Sequence, residues 1–180
     1  MVTRASPVES AAHDRWADGG CAAIWRALGS VVDPEIPVVS IVELGIVRSV
    51  ERREDGWTIA LAPTYSGCPA LRVIEDEARR AGASATDAPV RVETSLSPAW
   101  TTDWIAPEAR QKLRAIGIAP PAGAAPANEA RPIAFRRAPI RCPNCGSAQT
   151  EEIARFGSTA CKAQYRCKDC LEPFDYFKPH

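Results

Sequence analysis

The sequence has 180 residues, with 22 basic and 22 acidic side chains and seven cysteines. Its composition is typical of a globular chain, and its neutral charge argues against partners such as nucleic acid or anionic lipid. It has no apolar run long enough to span a bilayer and no secretory signal at its start, so we expect a cytoplasmic protein without a membrane partner. Cysteines in that reducing compartment indicate metal binding or reactive thiols rather than disulfides.

Helices and strands are predicted throughout the first two thirds of the sequence. The predicted elements are a helix over 18–29, a hairpin from 46–51 and 57–63, a helix that starts at Pro69 and stops at Gly82, a strand over 90–94, and a helix near 107–116 with Ala109, Leu113 and Ile116 on one face. Trp100 and Trp104, four residues apart, belong to the core or to a binding rim, and we favour the core. These elements predict a small α/β (α+β) domain over 18–118.

The composition changes sharply after this domain. Residues 119–132 are rich in Pro, Ala and Gly and have almost no bulky apolar side chains. Such a segment cannot bury enough surface to offset the entropy lost on ordering, so we predict a linker. Residues 133–180 contain five of the seven cysteines and are predicted to form a separate domain.

Two CxxC pairs lie in this C-terminal region, Cys142 with Cys145 and Cys167 with Cys170. Each CxxC turn brings two thiolates to one metal ion, and two turns joined by a β-hairpin complete a tetrahedron. The pattern predicts a four-cysteine β zinc ribbon in which structural Zn²⁺ supplies most of the folding energy. The residue after the first pair is a glycine, as expected where the turn requires a positive φ.

Three features of the ribbon leave alternatives open. Cys161 is a spare ligand, a cluster ligand or a buried small hydrophobe. The aromatic tail at 173–177 is a docking surface or the small core of the ribbon. Basic and aromatic side chains are mixed in a way that suits base stacking, but acidic residues dilute them, so we favour a protein-contact role over nucleic-acid binding.

Cys68 precedes Pro69, and proline suits the first position of a helix. If the helix begins there, Cys68 is its N-cap, where backbone N–H groups and the helix dipole favour a thiolate. Such a thiolate is a nucleophile or a ligand for soft metal; the alternative is a thiol that only caps and packs under the loop. A lone cysteine is not a complete cluster site, so a second chain would have to contribute ligands.

Two acidic residues, Asp33 and Glu35, lie on a loop that Pro34 and Pro37 stiffen. Paired carboxylates suit acid–base chemistry or a hard cation, but such a loop more often caps or solvates a helix end. Cys21 lies in the first predicted helix, where core packing is the simpler interpretation.

Several segments together resemble a known family. Residues 33–47, 64–70 and 97–121 resemble the domain-of-unknown-function 59 family of iron–sulfur assembly proteins. Residues 156–178, after a CPNCGS turn, are similar to the PaaD family, accessory proteins encoded with the phenylacetyl-CoA epoxidase of aerobic phenylacetate degradation. The resemblance implies a small mixed sheet and a role in assembling or maintaining iron or iron–sulfur centres in that system.

The same resemblance implies specific site residues and partners. The matched positions are Asp33, Pro34 and Glu35 for the DPE motif, and Thr64, Gly67, Cys68 and Pro69 for the TxxGCP motif. They imply that Cys68 engages a transient iron or iron–sulfur cluster, with Asp33, Glu35, Thr64 and Gly67 in support. The implied partners are the oxygenase and reductase subunits of the epoxidase and iron–sulfur assembly proteins, and a homodimer is a further option.

Two other functions remain as alternatives. A purely structural interaction subunit of the oxygenase complex would need no metal transfer. A thiol-dependent enzyme would need a base near Cys68, but His13 and His180 are remote from it in sequence. No nucleotide-binding loop of the P-loop or Rossmann type is present either, so we do not expect an enzyme.

Overall fold

The computed structural model describes residues 19–65, 67–121 and 139–179. They form two compact units, one ending at Trp100 and one beginning at Thr101. His13, His180 and most of the predicted linker lie outside the described residues. None of the helices described is long and apolar enough to cross a membrane.

The first unit is a mixed sheet with helices. Its elements are α1 (Gly19–Leu28), β1 (Val32–Asp33), β2 (Ile36–Ser40), β3 (Val47–Arg53), β4 (Gly56–Leu61), α2 (Leu71–Ser84) and β5 (Val90–Thr94). β1 and β2 form an antiparallel pair, whereas β4 lies between an antiparallel β3 and a parallel β5. The α/β (α+β) class and the small mixed sheet are confirmed.

Apolar periodicity places the core of this unit between helices and sheet. On α1 the residues Ile24, Trp25 and Leu28 recur at helical spacing and are buried. On α2 the buried positions include Ile74 and Ala78, and this helix packs on β4, β5 and α1. β4 is buried along nearly its whole length, as expected of a central strand.

Gly82 does not end α2, contrary to the prediction, because the helix continues to Ser84. A Cβ atom on Gly82 would lie 2.8 Å from Ile59 Cδ1 and 2.9 Å from Val90 Cγ1. The glycine therefore lets α2 approach the sheet closely. The prediction was wrong because a glycine late in a helix is typical both of a helix end and of a close approach. The resulting β4–α2–β5 crossover positions the loop that precedes α2.

The second unit contains a short 3₁₀ helix, one α-helix and a four-stranded sheet. Its elements are the 3₁₀ turn (Thr102–Trp104), α3 (Pro107–Ala115), β6 (Ile118–Ala119), β7 (Thr150–Ala154), β8 (Lys162–Cys167) and β9 (Pro173–Phe177). The strand order is β6-β9-β8-β7, with β6 parallel to β9 and the other pairs antiparallel. The predicted hairpin between the two CxxC pairs is present as β7 and β8.

The compact units divide earlier than the expected domain boundary at 118. Ile118 pairs with Asp175 of β9, so the end of the segment from Thr101 onward joins the ribbon sheet. A two-residue strand such as β6 is too short to show alternation in a sequence. The predicted apolar face of α3 also needs correction, since Leu113 is buried but Ile116 is 46% exposed.

Candidate functional site

The sulfur atoms of the four CxxC cysteines meet at one point. Those of Cys142, Cys145, Cys167 and Cys170 all lie within 4.8 Å of one another. The Sγ–Sγ distance is 3.7 Å from Cys142 to Cys170 and 3.5 Å from Cys145 to Cys167. Four sulfurs around an ion with metal–sulfur bonds of about 2.3 Å, the value for zinc, would be separated by about 3.8 Å. The cluster therefore fits a tetrahedral metal ion.

Two tight turns, the first knuckle (142–147) and the second knuckle (167–172), hold these sulfurs. In the first, the N–H of Gly146 donates to the carbonyl of Cys142 at 2.9 Å, and Gly146 has the expected positive φ, +77°. In the second, the N–H of Cys167 donates to the carbonyl of Glu172 at 3.0 Å. Each knuckle thus fixes its backbone with a hydrogen bond that does not use the sulfurs.

Hydrogen bonds and neighbouring thiols shift the pKa values of Cys167 and Cys170 in opposite directions. A hydrogen bond from the backbone N–H of Cys170 lowers the pKa of the Cys167 thiol to about 7, against the effect of burial. At Cys170 the backbone N–H of Glu172 favours the thiolate, but burial and the neighbouring cysteines outweigh it and raise the pKa to about 12. Four thiolates this close to one another require a cation among them, which a bound metal ion supplies.

An aromatic cluster supports the two knuckles. The ring of Tyr165 stacks on Phe174 with centroids 6.0 Å apart and meets Tyr176 edge-on at 5.5 Å. Phe174 and Tyr176 are buried in the same cluster as Cys167. Of the two interpretations of the aromatic tail, the ribbon core is therefore confirmed.

Cys161 is not among the four clustered sulfurs. It is 6% exposed, and the hydroxyl oxygen of Thr159 lies 3.0 Å from its sulfur. Its carbonyl accepts a hydrogen bond from the N–H of Lys178 at 2.9 Å. This environment supports the interpretation as a buried small side chain over that of a spare ligand.

Cys68 lies in the loop between β4 and α2. Its N–H donates to the carbonyl of Tyr65, and its own carbonyl accepts from the N–H of Leu71, both at 3.3 Å. Its side chain is half-buried and is not in a disulfide. Because β4 and β5 are parallel, this loop lies at the carboxyl edge of the sheet, where α/β folds commonly place functional groups.

Cys68 is not the N-cap of α2, which corrects the prediction. The helix begins at Leu71, and its N-cap is Ala70, with φ −78°, ψ −11° and no side-chain cap hydrogen bond. Pro69 and Ala70 form a turn ahead of the helix. The prediction was wrong because proline suits this turn as well as the first helical position. Support for a functional thiol thus comes from its position and exposure rather than from the helix dipole.

Gly67 makes room for the ring of Tyr65 beside Cys68. A Cβ atom on Gly67 would lie 3.1 Å from Tyr65 Cε2 and 3.6 Å from Cδ2. Thr64, at the start of the loop, is half-buried. The sequence analysis assigned no role to Tyr65, although an aromatic residue two positions before a glycine is a signal for this kind of packing.

Asp33 holds the turn between β1 and β2. Its Oδ1 accepts hydrogen bonds from the backbone N–H groups of Glu35 and Ile36, both at 2.9 Å. The carboxylate is 8% exposed and acts in an Asx-type turn, so it caps a hairpin turn rather than a helix end. Asp33 and Glu35 belong to a different loop from Cys68. Within the described ranges, none of the three joins a group of three or more metal-ligating side chains.

Cys21 and Trp100 have structural contacts in the first unit. The thiol of Cys21 donates to the carbonyl of Val50 at 3.6 Å and is half-buried. Trp100 is 5% exposed, and its indole N–H donates to the carbonyl of Leu44 at 3.0 Å. The expected core position is confirmed for Trp100, whereas Trp104 is only half-buried.

Comparisons with known proteins match both parts of the chain. A family model described as iron-sulfur cluster assembly protein matches residues 21–95, and one described as PaaD zinc beta ribbon domain matches residues 128–178. An Escherichia coli (strain K12) protein, provisionally named as one of the subunits of 1,2-phenylacetyl-CoA epoxidase, is 50% identical over 155 residues. The match covers 86% of this chain and 90% of that relative. The chain belongs to the PaaD family.

Two further relatives each match part of this PaaD-family chain. The Bacillus subtilis (strain 168) protein named Fe-S protein maturation auxiliary factor YitW is 42% identical over 82 residues, which is 45% of this chain and 76% of that protein. The crystal structure of a DUF59 domain from Bacillus anthracis is 23% identical, covers 59% of this chain and 96% of that one, and has a TM-score of 0.48. The family models thus place an iron–sulfur assembly domain and a zinc ribbon domain in one chain.

Proposed function

We propose that this protein assists the assembly or maintenance of iron or iron–sulfur centres in the phenylacetyl-CoA epoxidase system and is not itself an enzyme. One relative is named as a subunit of that epoxidase and another as a maturation auxiliary factor. The observation that carries the proposal is the position of Cys68, a half-buried thiol on a hydrogen-bonded loop at the carboxyl edge of the sheet.

Cys68 is the proposed transfer ligand. A thiolate binds iron strongly, but one thiolate is an incomplete ligand set, so a cluster or iron ion held by Cys68 needs further ligands from a donor or acceptor protein. Transfer is then ligand exchange, in which one sulfur–iron bond forms as another breaks. The proposed supporting residues shape the two loops: Asp33 and Glu35 form the β1–β2 turn, and Thr64 and Gly67 lie in the Cys68 loop.

Zn²⁺ is the proposed resident ion of the ribbon, held by Cys142, Cys145, Cys167 and Cys170. Four protein ligands leave no open coordination position, so this ion stabilises the fold and takes no part in transfer. We also propose that the protein acts in the cytoplasm, with the oxygenase and reductase subunits of the epoxidase and iron–sulfur assembly proteins as partners.

A structural interaction subunit is the second candidate function. The observation in its favour is that Cys68 is not at the helix N-cap, so the helix-cap argument for a reactive thiolate does not apply to it. In this function Cys68 only packs in its loop, and the partner proteins acquire their metal without it.

Anaerobic copurification with the epoxidase components separates the two functions. Iron, sulfide and zinc are measured in complexes that contain wild type, Cys68→Ser or the matched control Cys21→Ser, another half-buried thiol of the first unit. We expect Cys68→Ser to lower the iron and sulfide of the partner components at least twofold, with zinc unchanged. Cys21→Ser should leave all three unchanged. Full iron and sulfide loading by Cys68→Ser would refute transfer and leave the structural function.

A further inference from the structure

Leu171 is a bulky apolar residue in a backbone conformation that favours glycine. Its φ is +65°, and among the described residues it is the only non-glycine with a positive φ. The equivalent position of the first knuckle, directly after the second cysteine, is Gly146 with φ +77°. A glycine would satisfy the second knuckle equally well, so the turn itself does not explain the leucine.

Packing does not explain Leu171 either. Its side chain is 70% exposed, more than any other large apolar side chain in the described part of the chain. A side chain that strains its backbone and contributes little to the core points to a role outside the fold. A single exposed apolar side chain is common on protein surfaces, whereas several close together mark a binding surface, so the neighbours of Leu171 decide between the two.

Ile116 lies at the same end of the second unit. β6 and β9 run parallel, with Ile118 opposite Asp175, and Ile116 and Leu171 each come just before one of these strands. The next residue, Gly117, faces the first knuckle, because a Cβ atom there would lie 4.0 Å from Asn144 Oδ1. Ile116 is 46% exposed. These two side chains and the two knuckles define the knuckle-end surface.

The knuckle-end surface has an excess of basic side chains. Its segments 112–117, 141–147 and 168–172 contain four basic and two acidic residues, all exposed: Lys112, Arg114, Arg141 and Lys168, and Asp169 and Glu172. One of the two carboxylates, Asp169, accepts a hydrogen bond from the hydroxyl of Ser147. Lys168 lies 3.2 Å from Glu151 of β7, a carboxylate that Arg166 of β8 also pairs, so counting this pair of residues as well leaves the excess unchanged. The chain as a whole is neutral, so this positive excess is local. An apolar pocket with an acidic rim would be complementary to it.

We propose that the knuckle-end surface docks this protein onto an acidic-rimmed apolar pocket of an epoxidase component, with Leu171 and Ile116 as the anchors. The partner in this proposal rests on the function proposed above. Docking then depends on the zinc ribbon, whereas transfer depends on Cys68. A second copy of this chain and single-stranded nucleic acid are alternative occupants of the surface.

The test measures binding of the zinc-loaded full chain to the purified oxygenase and reductase components, each immobilised separately. We expect Leu171→Gly to weaken binding to at least one component tenfold or more. Adding Ile116→Ser to Leu171→Gly should weaken the binding further. Zinc content and melting temperature of Leu171→Gly should be at least as high as in wild type, because glycine suits the backbone. Phe156→Ser is the matched control: Phe156 is 63% exposed and lies beyond the far end of β7, and its loss should change affinity less than twofold.

Three outcomes would overturn the docking proposal. In the first, Leu171→Gly binds the components with wild-type affinity. In the second, the wild-type protein binds neither component. In the third, Leu171→Gly keeps its affinity for the components but loses a homodimer or a complex with single-stranded nucleic acid that the wild type forms. Cys68→Ser separates this proposal from the proposed function, since it should bind within twofold of wild type. If Cys68→Ser loads iron normally while Leu171→Gly loses binding, transfer fails and docking stands.

Discussion

A carboxylate in a family motif suggests a catalytic or metal-binding role, but the hydrogen bonds of Asp33 are those of a residue that stabilises a turn. Its Oδ1 accepts from two backbone N–H groups, and Ile36, which carries one of them, is 2% exposed. A buried N–H group without an acceptor is costly. The side chain therefore keeps the β1–β2 turn closed, which is sufficient to explain an aspartate at this position.

Asp33→Ala should lower the free energy of unfolding by about 2 kcal/mol, because two charge-assisted hydrogen bonds are lost. Asp33→Asn keeps an oxygen at the same position and should cost less than about 1 kcal/mol. Urea unfolding followed by tryptophan fluorescence measures both, since Trp25, Trp57 and Trp100 belong to the first unit. Equal stability of Asp33→Ala and wild type would show that the turn does not depend on this carboxylate.

At the scale of elements, periodicity predicted most of the fold, and it failed where one residue type serves two purposes. α1, the β3–β4 hairpin and β5 follow the alternation and helical spacing of their apolar residues. The start of α2 and the meaning of Gly82 were predicted wrongly. Proline fits both a turn and a helix start, and glycine fits both a helix end and a close contact, and only tertiary packing decides between them.

The close approach of α2 to the sheet at Gly82 can be tested by substitution. Gly82→Val should lower the free energy of unfolding by about 2 kcal/mol, because the new side chain must displace Ile59 and Val90 from a filled core. Ala83→Val is the control, because Ala83 is the next residue of the helix and is exposed. This substitution should cost only the difference in helix propensity, about 0.5 kcal/mol. The same urea unfolding measures both. Similar losses in the two variants would contradict close packing at Gly82.

At the scale of the whole molecule, the sequence predicted two parts, and the two compact units of the structure divide between Trp100 and Thr101. The CxxC spacing identified the four clustered cysteines, because the chemistry of a tetrahedral site fixes that pattern. The pairing of β6 with β9 carries no such pattern, so the segment from Thr101 onward could not be assigned to the ribbon unit from composition alone. Leu171 was missed for a related reason, because a positive φ at a non-glycine residue leaves no mark in the sequence.

Metal removal tests whether the two units fold separately. The ribbon core is small and includes its own metal ligands and Ala119 of β6, so stripping the ion with a chelator should unfold the second unit, residues 101–121 and 139–179. Residues 19–100 have a separate core of packed helices and sheet and should remain folded. Amide NMR spectra before and after chelation report on both: ribbon signals should collapse to random-coil positions while those of the first unit persist.

Cys145→Ser should behave like the stripped protein and Cys161→Ser like wild type. Loss of both sets of signals together would mean that the chain folds as one cooperative unit, and persistence of both would mean that the ribbon does not need its ion.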